Sequence, residues 1–303
     1  MHPKQSLGIV CTLFGVTRQA YYEAEIHERK TSIARMIVLT IIKDLRDEIP
    51  QIGTRKLLFQ LGPHLEEHGI KMGRDQLFDL LRFHGLLIRR RKRLVKTTDS
   101  HHWLKKYPNL IVGMVITSRE QLWVSDITYI RTLEGFSYLS LITDAYSRKI
   151  VGYALYPTLE ATGCIEALEM AVNGRRNVTP FILIHHSDRG IQYCSYEYID
   201  ILMKANIAIS MTQSGSPYEN ALAERVNGII KNEFFPKKVY QNHKEAKKTI
   251  ARIILTYNEK RPHSSIDFLT PEKAHNHEGI INKRWKQYSK QEITKEQILL
   301  SQY

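Results

Sequence analysis

The sequence predicts an α/β protein, with a five-stranded mixed sheet flanked by helices and a small all-α region of helix-turn-helix type ahead of it. Three observations carry that expectation. The apolar period switches from the helical spacing to two near residue 120. The charge is divided unevenly between the two parts. A polar and basic stretch at residues 89–100 separates them.

The 303 residues suffice for about two domains. Hydrophobic residues make up 43% and charged residues 25%, which excludes a disordered or collagen-like chain. Lysine and arginine number 44 against 31 acidic residues, a formal charge of +13. So basic a chain points to polyanionic partners, nucleic acid before membranes. Residues 1–110 hold 20 of the basic and 11 of the acidic residues, leaving +9 there and +4 in the remainder. Cys11, Cys164 and Cys194 lie far apart with no Cys-x-x-Cys pair, which argues against a disulfide framework and a structural zinc site. No apolar run reaches the length of a membrane span. A reducing, cytoplasmic and nucleoid-associated setting is expected, with no membrane partner.

In the first part, Leu13–Tyr22 turns at Gly15 and offers Thr17 as the N-cap of a helix. Too little chain precedes it for a complete module, so residues 1–28 read as a partial helix-turn-helix or helical arm. Ile33, Ile37, Ile41 and Leu45 recur every four residues and predict one apolar helix face, stopped by Pro50. Gly53-Thr54 opens a second helix with Leu57, Leu58 and Leu61. Gly69 and Gly73 bound a turn, and Leu77, Leu80 and Leu81 mark a third helix closing at Gly85. Residues 30–96 thus form a helix-turn-helix-like domain with a basic linker. Its candidate DNA contacts are Arg55, Lys56, Arg74 and the run Arg89, Arg90, Arg91, Lys92 and Arg93.

In the second part, Trp123–Ile130 is a strand rich in β-branched and aromatic residues. Phe136–Ile142 and Lys149–Tyr156 follow it at hairpin distances, with turns at Glu134-Gly135 and Ser147-Arg148. Then come a helix over Ala161–Val172, a strand over Phe181–His186, a helix over Gln192–Lys204, a strand over Ile207–Met211 and a helix over Ala221–Lys231.

Three carboxylates stand out. Asp126 lies inside a strand, where a charge is costly without a partner or a task. Asp188 follows the end of the fourth strand, a favoured place for chemistry. Glu224 lies on the last of these helices, with 35 residues between it and Asp188. Converging carboxylates repel unless cations neutralise them, and hard oxygen donors suit Mg²⁺ or Mn²⁺. Two such ions can promote phosphoryl transfer. Taken singly, each also has an ordinary structural reading as an edge, turn or solvated helix residue.

The strings around these residues carry a resemblance. Trp123-Val124-Ser125-Asp126-Ile127-Thr128-Tyr129-Ile130 resembles the first catalytic strand of the retroviral-integrase-like DDE recombinases. His186-Ser187-Asp188-Arg189-Gly190 resembles their second segment. Ser214-Gly215-Ser216-Pro217-Tyr218-Glu219-Asn220-Ala221 leads to the third carboxylate as in bacterial insertion-sequence transposases, with Tyr257-Asn258, Arg261-Pro262-His263-Ser264 and Thr270-Pro271 resembling the tail of the same core. The chain is most similar to the product of the second of two overlapping reading frames, over residues 30–275.

The resemblance implies a ribonuclease-H-like catalytic core over residues 110–275. It makes Asp126, Asp188 and Glu224 the metal-binding catalytic triad for magnesium, with manganese as a substitute. It also implies a phosphate contact from Lys231, seven residues beyond Glu224 and two helical turns along the same face. The implied activity is cleavage at element 3′ ends and strand transfer. The implied partners are double-stranded element and target DNA, at least one further copy of the chain, and an upstream-frame product. A nuclease of the same fold and a DNA-binding regulator with an idle core are the alternatives. His185 and His186 read as packing residues or as metal or substrate contacts. Tyr193 and Tyr218 read as base-stacking or core residues, and Glu219 as a helix-capping neighbour. Residues 276–303 carry no motif and read as a tail.

Overall fold

The computed structural model describes residues 6–88, 103–175, 182–213, 220–235 and 239–281. The chain divides into two compact units, Met1–Arg91 and Lys92–Tyr303, a division that falls within the expected basic linker of the sequence. Arg89–Arg93, Tyr218, Glu219 and all but the first residues of the 276–303 tail lie outside the described residues. Among the described residues no helix is long and apolar enough to cross a membrane.

The first unit is all helical: α1 (Leu7–Leu13), α2 (Arg18–Glu48), α3 (Thr54–Glu67) and α4 (Arg74–Phe83). Gly15 takes a left-handed φ of 67° to turn the chain between α1 and α2. Thr17 then caps α2, its Oγ1 accepting from the Ala20 amide at 3.0 Å. Two expectations change here. Helix α2 passes residues 28–30 without a break, so the arm and the first helix of the bundle are one element. The predicted stripe also flanks the buried face instead of centring on it: Val38 and Ile42 are buried, Ile37, Ile41 and Leu45 are half-buried and Ile33 is exposed. Steps of four residues overshoot a 3.6-residue turn by about 40° each, so the stripe winds away from α3 by roughly a third of a turn between Leu45 and Ile33. The core joins Val38, Ile42, Ile49 and Ile52 to Leu57, Leu61 and Leu65 of α3 and Leu77 and Leu81 of α4.

The second unit holds β1 (Leu122–Thr132), β2 (Gly135–Asp144), β3 (Ile150–Tyr156), α5 (Ala161–Asn173), β4 (Ile184–Ser187), α6 (Tyr196–Lys204), β5 (Ala208–Met211), α7 (Ala221–Ile229), α8 (His243–Glu259) and α9 (Pro271–His275). The five strands form one mixed sheet in the order β3-β2-β1-β4-β5, with β1–β2 and β2–β3 antiparallel and β1–β4 and β4–β5 parallel. A meander followed by crossover helices therefore makes β1 the centre. Helix α6 begins at Tyr196, four residues later than expected, because Gly190–Ser195 first makes a turn closed by the Tyr193 amide on the Gly190 carbonyl.

Alternation along β1 assigns the two faces of the sheet. Trp123 and Ile127 join a core with Ile142, Ala154, Leu168, Leu183, Tyr198 and Leu202, under α5 and α6. Leu122 and Val124 point the other way and pack with Ala145 and with Ala223 of α7. On the α5 side, Gly152 of β3 is required by close approach: a Cβ there would lie 2.1 Å from the Ala167 carbonyl oxygen. The tail of the unit closes the β3 edge. The Asn258 side chain accepts from the Ile150 amide and donates to the Ile150 carbonyl, both at 3.0 Å, and the Tyr257 hydroxyl donates to the Arg148 carbonyl at 3.0 Å. Arg261, 1% exposed, forks onto Glu233 with two bonds of 2.7 Å. Thr270 caps α9, and Pro271 fills its first turn. The Tyr-Asn, Arg-Pro-His and Thr-Pro strings are thus fastenings of the fold.

Candidate active site

Parallel pairing of β1 with β4 brings two of the three carboxylates together. The register sets Trp123 opposite His185 and Val124 opposite His186. Two residues further along each chain stand Asp126 and Asp188, so the register aims both at one end of the sheet, on the side of Val124. Asp188 is held there by a local turn, its Oδ1 accepting from the Gly190 amide at 3.0 Å. A Cβ on Gly190 would stand 3.0 Å from that same oxygen.

Helix α7 supplies the third group. Its N-cap residue Asn220 donates to the Ser125 carbonyl at 2.9 Å, which fastens the start of the helix to β1 beside Asp126. Glu224 follows one turn later, its amide bonded to the Asn220 carbonyl. Asn227 shares that face at three residues' spacing and donates to Asp126 Oδ2 at 2.8 Å. Asp126 is half-buried, and its Oδ1 also accepts from the Ile127 amide at 3.0 Å. Burial pushes its carboxyl up to about 7, the Asn227 bond pulls it down, and the charges of Asp188 and Glu224 push it further up. The charges of Asp188 and Glu224 thus reach Asp126. Among the described residues, no three His, Cys, Asp or Glu side chains are drawn close enough to enclose a metal ion.

The helix does not continue as expected to Lys231. After Ile229 the backbone widens into a π-helical turn over Ile230–Phe234, which carries both Lys231 and Glu233. Lys231 is half-buried; burial lowers its ammonium and the Asp126 charge raises it, which marks it as a neighbour of the acidic site.

The two histidines turn away from this role. His185 Nε2 shares hydrogen bonds with Ser125 Oγ at 2.6 Å and the Tyr198 hydroxyl at 2.9 Å. Burial holds its ring down to about 3, so it stays neutral. His186 is buried, with Nδ1 2.8 Å from Ser210 Oγ. Tyr193 is 2% exposed and stacks edge-on with Tyr198 inside the core. All three are packing residues. Sequence reasoning passed over Asn220 and Asn227; their signal was spacing, since Asn227 lies on the Glu224 face of one short helix. In the helical unit, Arg55 and Lys56 lie in the first turn of α3. Arg74 opens α4 and bonds Asp75 at 2.8 Å.

Residues 117–217 match the integrase core domain family, and residues 205–271 match a second family of the same description. These are the segments that build the sheet, the Asp126–Asp188 edge and α7, so the second unit is an integrase core of the ribonuclease-H-like class. The chain is 38% identical over 269 residues to an uncharacterized 31 kDa protein of insertion element IS600 from Shigella sonnei, covering 86% of this chain and 96% of that one. It is 30% identical over 281 residues to the transposase for insertion sequence element IS629 from the same organism, covering 90% and 93%. The protein belongs to the insertion-sequence transposases with an integrase core. Among solved structures, the HTLV-2 integrase catalytic core domain in complex with magnesium covers 52% of this chain and 97% of its own, at 20% identity and a TM-score of 0.40.

Proposed function

We propose that this chain cuts DNA at the ends of its insertion element and joins the freed 3′ ends to a target, with Asp126, Asp188 and Glu224 as the catalytic, metal-holding carboxylates. The observation that supports this best is electrostatic: the charges of Asp188, in the turn after β4, and Glu224, on α7, both act on Asp126 of β1. Their donor chemistry fits hard divalent cations, magnesium first and manganese as a substitute. The rise of Asp126 to about 7 comes first from burial and then from the charges of Asp188 and Glu224, and a cation held at this carboxylate would offset both. When bound, the ions supply activation of the attacking oxygen and stabilisation of the leaving one.

The residues of the chain do the rest. Asn227 orients the Asp126 carboxylate. Asn220 ties the start of α7 to β1 beside Asp126, one helical turn before Glu224. Lys231 stands beside Asp126 to hold a phosphate of the DNA. Water serves as the nucleophile in cleavage. The exposed 3′-hydroxyl then attacks a target phosphodiester and displaces the 3′ oxygen of the target strand, so one phosphodiester is made for each one broken. Residues 30–96 bind the element ends through Arg55, Lys56, Arg74 and Arg89–Arg93, and two copies of the chain bring two ends together.

The test is a joining assay on DNA carrying the gene's natural flanks, with Mg²⁺ present or chelated, comparing wild type with Glu224→Gln. Joining that needs both Mg²⁺ and Glu224 is the expected result. Cleavage without joining identifies a nuclease, and tight flank binding without any reaction identifies a regulator. Strand transfer retained in full by Glu224→Gln removes Glu224 from the triad.

A further inference from the structure

Helix α2 is 31 residues long, and the bundle core occupies only its second half, at Val38 and Ile42. Its first half carries a different stripe. Tyr22, Ile26, Ile33 and Met36 are 52%, 55%, 53% and 66% exposed. Their separations of four, seven and three residues are those of alternating d and a positions in a heptad, with Tyr22 and Met36 at d and Ile26 and Ile33 at a. The stripe runs about 21 Å along the helix. Exposed apolar surface continues from it, since Ile33 also lines a groove of about 980 Å³ whose far wall carries the 85% exposed Phe83.

We infer that this stripe is the seam of a parallel, in-register coiled coil between the α2 helices of two copies of the chain. The flanking charges select that occupant. In this register Arg18 and Glu25 take g positions, and Glu23 and Lys30 take e positions. A parallel pair sets each g residue beside the e residue five positions further along the other helix. Arg18 then meets Glu23 of the second copy, and Glu25 meets Lys30 of the second copy. Both combinations are of opposite sign, and symmetry makes each occur twice. β-branched isoleucine at both a positions favours two strands over three or four when the d positions are not β-branched. Arg29 takes the central d position, where its stem can lie along the seam while its guanidinium reaches out to Glu25, 3.8 Å away within one copy. So short a seam would be marginal for free peptides. Here the helix is already formed and anchored by α3, so association does not bear the cost of ordering it.

The inference stands apart from the catalytic reading, and its test uses the full chain without DNA. Ile26→Cys and Ile33→Cys are oxidised separately and compared with Ala24→Cys, which lies on the opposite face of α2. The native cysteines are buried and serve as the background. Covalent dimers from positions 26 and 33 but not 24 are expected. Glu25→Lys is expected to weaken self-association about tenfold in sedimentation equilibrium, and adding Lys30→Glu to restore it. Equal cross-linking at position 24, absence of cross-links at 26 and 33, or a charge reversal without effect overturns the inference. Ile33→Asp is expected to abolish the cross-link from position 26. Should it lose helicity by circular dichroism, the charge-reversal pair decides on its own.

Discussion

Asp126 and Asp144 sit on neighbouring strands of one sheet, and the fold treats them in opposite ways. Asp144, fully buried at the end of β2, accepts from the Glu120 amide at 2.8 Å, the Ser147 amide at 2.8 Å and the Ser147 hydroxyl at 2.7 Å, with His275 Nδ1 at 3.9 Å. Its charge is answered from within the protein, and it closes the turn between β2 and β3. Asp126 has one side-chain donor, Asn227, and two carboxylates for company. The lesson is that a buried carboxylate surrounded by donors is part of the frame. One with few donors is pushed up, by burial first and by neighbouring like charges after it.

Breaking the frame has the largest expected effect on stability. Asp144→Ala leaves three buried donors without their acceptor and should cost about 3–5 kcal/mol in urea unfolding. Unchanged stability would mean that Asp144 is no frame residue.

Asp126→Asn should behave in the reverse manner. Its folded-state pKa of about 7 lies above the ordinary carboxylate value of 3.8, so the folded state keeps a proton that the unfolded state has released. Metal-free stability of the wild type therefore falls as pH rises from about 4 to 7, by at most about 4 kcal/mol. Asp126→Asn should flatten that slope, melt higher than wild type at pH 8 and match it near pH 4, while losing strand transfer. Added Mg²⁺ should raise the wild-type melting temperature at pH 8 and leave the variant unmoved. A wild-type stability that climbs between pH 5 and 8 in the absence of metal, relative to the variant, contradicts the contrast.

Removing the single side-chain donor sharpens it. Asn227→Ala should cost joining activity about tenfold to thirtyfold, roughly 1.5–2 kcal/mol. It should also shift the pH dependence of stability upward, because the bond that pulls Asp126 down is gone. A pH profile identical to wild type would assign Asn227 to packing alone. The smallest effect belongs to the surface. Arg74→Ala should leave the melting temperature unchanged, yet reduce the salt dependence of end binding by about one phosphate contact. An unchanged salt slope would free Arg74 from DNA.

Much of this was legible in the chain itself. The switch from a helical period to a period of two placed the all-α part and the sheet. Thr17, Pro50 and Gly53 marked helix ends by chemistry that acts within a few residues. The strings around Asp126, Asp188 and Glu224 singled out the three acidic groups, because such strings encode a strand, a turn and a helix entry at fixed spacing. The family match confirmed the class of core they belong to. The exposed half of α2 was hidden, because Ile33 to Leu45 read as one stripe although helical geometry divides it between two faces. The π turn after Ile229 was hidden as well; it carries Glu233, which Arg261 holds from 28 residues away.

Residue type and near-neighbour spacing therefore determined most of the elements and several of their caps, since these depend on backbone preference and local hydrogen bonding. Only the tertiary structure decided which aspartate is satisfied and which is short of donors, that His185 is held neutral in the core, and which apolar residues of α2 are left exposed. Each of those depends on what a distant segment brings to the same few ångströms, and on how much water it removes.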